Sequence, residues 1–428
     1  MTAPITGAAG RLVLLADRLL TTGSRDGAVH VLEDAALAIN PDGSIDTAGP
    51  RARYDPRETD TVLDCGDRTL LPGLIDAHVH FFGVDTLQVQ RLFTDPEPYR
   101  VLRAARDART LLESGFTAVR CLGSSVGPHL ARAVSEGLVR GPRIVAAGQF
   151  ICSTAGAWDD VGLPPAVVAG ADMLADGEDA CRAVVRRRIR AGAGVVKVGV
   201  SAGAIGDHFR SWADEPHAQQ TTYSVAELRA VVDEAHRHQV KVSAHAIGDD
   251  AVRAAVRAGV DVVEHGHAIT PETRELLAAA GVTVVPTLTH MYLMSAAAGS
   301  AHGLQPDLAE VADRHLDEQL KSFGDLLAAG VTLAVGSDLI GPPWAEMTFG
   351  TTELELMVRG GMTTGDALRA ATVVNAHVLG IADQVGDLLP GMRADVVAVP
   401  GNPLVDIRAL RDVDLVVKDG RVEKNAIR

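Results

Sequence analysis

The stretch LPGLIDAHVHFFG, residues 71–83, decides how the rest of the chain is read. An apolar run ends there in two histidines one residue apart. Residues two apart along a strand point to the same side, so His78 and His80 project together while Val79 faces away. As neutral rings, two neighbouring imidazoles are a natural pair of metal ligands, although two hydrogen-bonded core histidines would spell the same short motif. Gly83 then lets the chain turn away from the strand end. The motif gains weight only if other strands end in the same kind of chemistry.

Short apolar strands do recur through the centre of the chain: LIDAHVHF, FTAVRCLG, RIVAAGQFI, VVKVGVSAG, KVSAHAIG, VDVVEHGHAI, VTVVPTLT and VTLAVGSDL. Between them run helical patterns such as YRVLRAARDARTLLESG and SVAELRAVVDEAHRHQ, the second opened by Ser224 and Glu227 as a capping box. Gly115, Gly281 and Gly330 stand where helices would end. Eight strand–helix repeats predict an α/β fold, a (β/α)8 TIM barrel over residues 69–385, with its chemistry at the C-terminal ends of the strands. The two chain ends read differently. Residues 1–68 carry short strands broken by the turn PDGS at 41–44, and residues 386–428 carry RADVVAVPG and LVVKDGRV, with Asp419-Gly420 at a hairpin position. These two segments are expected to pair into one small β-sandwich domain.

With 428 residues, 47% hydrophobic and 22% charged, the chain has ordinary globular composition and enough apolar surface for a large core. The balance of 40 basic against 55 acidic residues, net −15, argues against a nucleic-acid partner. The one basic cluster, Arg186, Arg187, Arg188 and Arg190, reads as a solvated helix face. Cys65, Cys121, Cys152 and Cys181 lie far apart with no CxxC pair, so neither a disulfide framework nor a cysteine zinc site is expected. No run of 18 apolar residues and no basic start with an apolar h-region occur. The expectation is a cytoplasmic homo-oligomer with a small-molecule substrate and no membrane or nucleic-acid partner.

At the strand ends the polar residues are of one chemical kind. The first strand offers His78 and His80, the fourth Lys197, the fifth His245, the sixth His265 and the eighth Asp338. Each has a plain explanation alone, but their joint placement on one rim points to a metal site. Lys197 is the informative member, because an ammonium is a poor neighbour for divalent cations and costly to bury. Addition of CO2 to its nitrogen would give a carbamate able to bridge two metals. Without such neighbours the lysine would simply reach past the strand end to water.

On LPGLIDAHVH, GFTAVRCLG, VVKVGVSAG, SAHAIG, VEHGHAI, GSD and the tail ATVVNAHVLGIADQVGDLLPGMRADVVAVPGNPL, the chain resembles the amidohydrolase superfamily, in its imidazolonepropionase-like and prolidase-like branch. The resemblance runs from about residue 11 to 425. It implies two divalent metal ions, zinc first, with manganese or cobalt compatible. One metal would take His78, His80 and Asp338 and the other His245 and His265, with carboxylated Lys197 and a hydroxide bridging them. That hydroxide would attack an amide carbonyl, of a peptide-like or N-acyl amino acid substrate, with Asp338 as proton shuttle.

Two other reactions suit the same barrel: deamination of a heterocycle at a single metal, and hydrolysis of a lactone or other ester. A deaminase would not need Lys197 and would be expected to place a glutamate soon after His245, where the chain has only Asp249 and Asp250. Relatives in the branch often read Gly-Gly-His-Gly after the third strand; here STAGAWDDVGLP, residues 153–164, contains no histidine and puts Trp158 in that neighbourhood. Trp158, Tyr223, His267 and Arg210 are the candidate substrate contacts, the last in the long loop after the fourth strand.

Overall fold

The computed structural model describes residues 10–23, 27–84, 91–159, 163–201, 221–296, 306–340 and 349–427. Arg210 lies outside the described residues. Both chain ends build one eight-stranded sheet, in the order β15 (Arg421–Asn425), β14 (Leu415–Lys418), β13 (Val396–Val399), β5 (Thr69–Pro72), β1 (Leu12–Thr21), β2 (His30–Ile39) and β3 (Ile45–Pro50), with β4 (Thr61–Asp64) on β1. The turn signals read from sequence appear in it. Asp419 and Gly420 take φ of 49° and 75°, the left-handed pair that a two-residue hairpin between β14 and β15 requires. The ends of the chain join where β13 runs antiparallel to β5, pairing Val397 with Leu71. Alternate residues of these strands, among them Leu14, Leu37, Leu70, Val396 and Leu415, bury a common apolar core.

The centre is parallel. β6 (Leu74–Val79), β7 (Phe116–Cys121) and β8 (Arg143–Ala146) form one sheet, and β9 (Val195–Gly199), β10 (Lys241–Ala246), β11 (Val262–His265) and β12 (Thr283–Val285) a second. Helices at Glu97–Glu113, Gly127–Ser135, Glu178–Arg190, Val225–Arg237, Asp249–Ala258, Pro271–Ala280 and Pro306–Ala328 fall between or after these strands. The predicted capping box is present: Ser224 Oγ accepts from Glu227 N, and the Glu227 carboxylate accepts from Ser224 N.

The eighth expected strand, VTLAVGSDL, is not a continuous strand. Residues 331–339 instead make isolated bridges on both sides, Leu333 to Val284 and Leu339 to Val79. Asp338, at φ 55°, breaks the extended path there. A further bridge joins Ile151 to Val198, so backbone bonds link the two parallel sheets at both of their edges. No helix among the described residues is long and apolar enough to cross a membrane.

Candidate metal centre

β6 is buried along its whole length and delivers His78 and, one residue past its end, His80. Their Nε2 atoms stand 3.2 Å apart. Asp338 Oδ1 lies 3.0 Å from His80 Nε2 and 3.4 Å from His78 Nε2. Bonds of 2.0–2.1 Å in a tetrahedral zinc site imply ligand-to-ligand edges of roughly 3.3–3.4 Å. The three donor atoms thus already form a triangle of the size that one metal ion fills, and they fit the expected group. Among the described residues, this is the cluster of histidine and carboxylate atoms close enough to share an ion.

The backbone around the triangle is held by a buried acid. Asp76 accepts from His78 N at 2.9 Å and Ser337 N at 3.2 Å, and its other oxygen accepts from Ser337 Oγ at 2.5 Å. It thereby fastens β6 to the residue before Asp338. Asp338 N in turn donates to His78 O at 2.7 Å. Burial alone would raise the Asp338 carboxyl, but His78, His290 and His80 around it hold it well below the usual carboxylate range. Burial lowers the His78 ring to about 4, keeping it neutral and able to ligate near pH 7.

Lys197, on β9, is 1% exposed, and its Nζ has no hydrogen-bond partner among the described residues. Burial lowers its pKa to about 8, against the pull of Glu264 and Asp338. A lysine so placed gives up its proton more readily than an exposed one, and the neutral amine is the form that takes up CO2. His245, on β10, and His265, at the end of β11, bring their rings to 4.6 Å, and His265 stands 5.4 Å from the ring of His78. Burial depresses His245 to about 3. Thr287 Oγ1 donates to Pro286 O and lies 2.7 Å from His265 Nδ1, so its oxygen is placed to accept a hydrogen bond from Nδ1–H, the tautomer that leaves Nε2 of His265 with its lone pair.

His265 and Asp338 both take left-handed φ, 72° and 55°, as does Thr287 at 54°. For residues other than glycine this conformation costs of order 1–3 kcal/mol each and gathers at functional sites. At His265 it has a direct use. It breaks strand alternation, so that Glu264 can face the interior while the next residue still reaches the rim.

Glu264 is one of several site residues the sequence reading passes over. It contacts Arg120, Ser243 and His78 in the space beneath the triangle. A charge inside an apolar strand is the signal that singles out Lys197, and VDVVEHGHAI and FTAVRCLG carry the same signal at Glu264 and Arg120. His290, whose Nδ1 is 3.4 Å from Asp338 Oδ2, follows VTVVPTLT and has no comparable mark. Buried Glu353 accepts from the backbone of Leu288 and Thr289, anchoring the segment that carries Thr287 and His290.

The candidate substrate contacts fare unequally. Trp158 stacks on Phe150 at 3.9 Å between ring centres and lies 5.6 Å from His245. With Phe82 stacked on His80 at 4.7 Å, it makes an aromatic wall beside the donors. Gly199 permits this, since a Cβ there would come within 3.0 Å of the Trp158 ring. Tyr223 is buried, and its hydroxyl donates to Ala175 O at 2.8 Å. His267 is buried with Nδ1 3.4 Å from Gln319 Nε2. Of the two acids that follow His245, Asp249 accepts from Thr270 and pairs with Arg253.

Comparison with known proteins places this geometry in context. Residues 69–422 match the amidohydrolase family. The chain is 34% identical over 381 residues to ochratoxinase of Aspergillus niger, covering 83% of this chain and 75% of that protein. It is 27% identical over 392 residues to imidazolonepropionase of Deinococcus radiodurans, covering 89% and 88%. A prolidase solved with N-methylphosphonate-L-proline superposes with a TM-score of 0.84 at 30% identity, over 97% of this chain and all of that one.

Proposed function

The chain belongs to the amidohydrolase family, and on that premise we propose that it is a binuclear metal amidohydrolase cleaving a peptide-like or N-acyl amino acid amide. The observation that carries the reading is the His78–His80–Asp338 triangle with buried Lys197 beside it. His78, His80 and Asp338 would hold one ion and His245 and His265 the second, with carboxylated Lys197 between them. Two divalent ions, zinc first, would supply an acidified water and a polarised carbonyl.

The chain's own residues supply the rest. Asp338 has one oxygen on the triangle and the other turned toward His290, so it can take a proton from the nucleophile and pass it to the leaving nitrogen. Phe82, Phe150 and Trp158 keep water from one side of the donors. The relatives' names, ochratoxinase and prolidase, support an amide substrate of small-molecule size. Within this reading the bridges at 79–339, 151–198 and 284–333 support a closed (β/α)8 barrel over residues 69–385. Residues 1–68 and 386–428 would fold as a β-sandwich, and the enzyme would be cytoplasmic and homo-oligomeric.

The test is product release by metal-replete protein from a panel of dipeptides, N-acyl amino acids, lactones and aminated heterocycles, with Asp338→Asn as the blank. Free amino acid from wild type alone supports the amidase. Ammonia alone assigns a deaminase instead, and acid from lactones alone an esterase.

A further inference from the structure

Two buried charges stand inside the strands and take no part in the chemistry described so far: Arg120 on β7 and Glu264 on β11, both 0% exposed. One oxygen of Glu264 accepts from Arg120 Nη2 at 2.6 Å and from Ser243 Oγ at 2.5 Å. The other lies 2.7 Å from His78 Nδ1. Arg120 Nε donates to the carbonyl of Ala77 at 2.6 Å. The pair therefore holds one ligand twice, by its ring through Glu264 and by the preceding backbone through Arg120.

We propose that Arg120 and Glu264 are a positioning pair that keeps His78 in its metal-binding tautomer and orientation. A carboxylate facing Nδ1 draws the ring proton there, leaving Nε2, the atom on the triangle, with its lone pair and greater basicity. Arg120 is what allows a carboxylate to sit in this interior at all, because an unpaired one would be too costly. Ser243 and Arg120 occupy Oε1, which leaves Oε2 as the oxygen facing His78 Nδ1 at 2.7 Å. The inference rests on the metal-centre reading above.

Glu264→Gln alone leaves Arg120 unpaired and endangers the fold, so the informative protein is Glu264→Gln/Arg120→Met, which removes both charges together. Its thermal midpoint reports the fold, and competition with a chelator for zinc or cobalt reports the site. Folded double variant with metal affinity reduced 10–100-fold, and an altered cobalt absorption spectrum, is the expected result. Affinity within threefold of wild type overturns the proposal, since the pair would then be a structural tie between β7 and β11. Independently of any variant, NMR of metal-free wild type with isotope-labelled histidine should show His78 protonated on Nδ1; protonation on Nε2 overturns it. Wild type that binds no metal would instead sink the metal-centre reading itself.

Discussion

Replacing Lys197 with methionine should abolish activity and yet stabilise the metal-free protein. The side chain is enclosed, its Nζ has no partner among the described residues, and burial lowers its pKa from 10.5 to about 8. A tenfold change in a protonation equilibrium is worth about 1.4 kcal/mol, so a protonated lysine costs the metal-free fold about 3 kcal/mol at pH 7. Methionine has similar length and no charge and should recover most of that. With an unfolding entropy of about 2.1 cal/mol/K per residue over a chain of this length, 1 kcal/mol moves Tm by roughly 1 °C, so the gain is about 3 °C. The sign with pH is specific. The folded pKa is depressed, so the penalty is fully present below about pH 8 and disappears as pH rises toward 10.5. Thermal unfolding of both proteins in chelator and CO2-free buffer, at pH 7 and pH 10, is the assay. A metal-free variant no more stable than wild type at pH 7, or a gap unchanged at pH 10, would refute the reasoning.

Three further outcomes are expected. Ser337→Ala removes the 2.5 Å bond to buried Asp76 and should cost about 1–3 kcal/mol, with kcat falling by a larger factor than KM rises because Asp338 loses one of its anchors; equal factors in the two would speak against it. Thr287→Val keeps the shape but strips the contact to His265 Nδ1, and if His265 is a ligand, as proposed, chelator titration should show metal bound at least tenfold more weakly. His78 and His245, depressed to about 4 and 3, bind fewer protons when folded than the ordinary value of 6.5 allows. The metal-free protein should therefore lose stability as pH falls from about 6.5 to 4, seen as a shrinking urea midpoint; a flat profile there would show that these rings are not held neutral.

The strand–helix rhythm is legible because parallel strands buried on both faces spell short apolar runs, and histidines at their ends are conspicuous. So is the hairpin at Asp419-Gly420, where backbone sterics restrict the choice of residue. The eighth strand is not, because its apolar letters are ordinary while the left-handed turn at Asp338 is invisible in composition. Arg120 and Glu264 could be found, since each is a charge in an otherwise apolar strand. Weighing Lys197 for its charge but VVEH only for its histidine hides them. Tyr223 illustrates the reverse case: its place before a capping serine is plain in the sequence, but the hydrogen bond to Ala175 depends on how distant segments pack.

The sheet shared by the two chain ends has a consequence for biosynthesis. β1 and β5 leave the ribosome early, but β13, which completes their edge, follows roughly 320 residues later. At about 5–20 residues per second, β5 waits on the order of 15–60 s with its backbone donors and acceptors open on one side. During translation that open edge, with Leu70 and Leu71 on it, is a place for chaperones or for pairing between nascent chains on one message. Stop codons that remove β13 would make the exposure permanent, so truncations near the end of the gene should aggregate although every residue of the metal centre has been made.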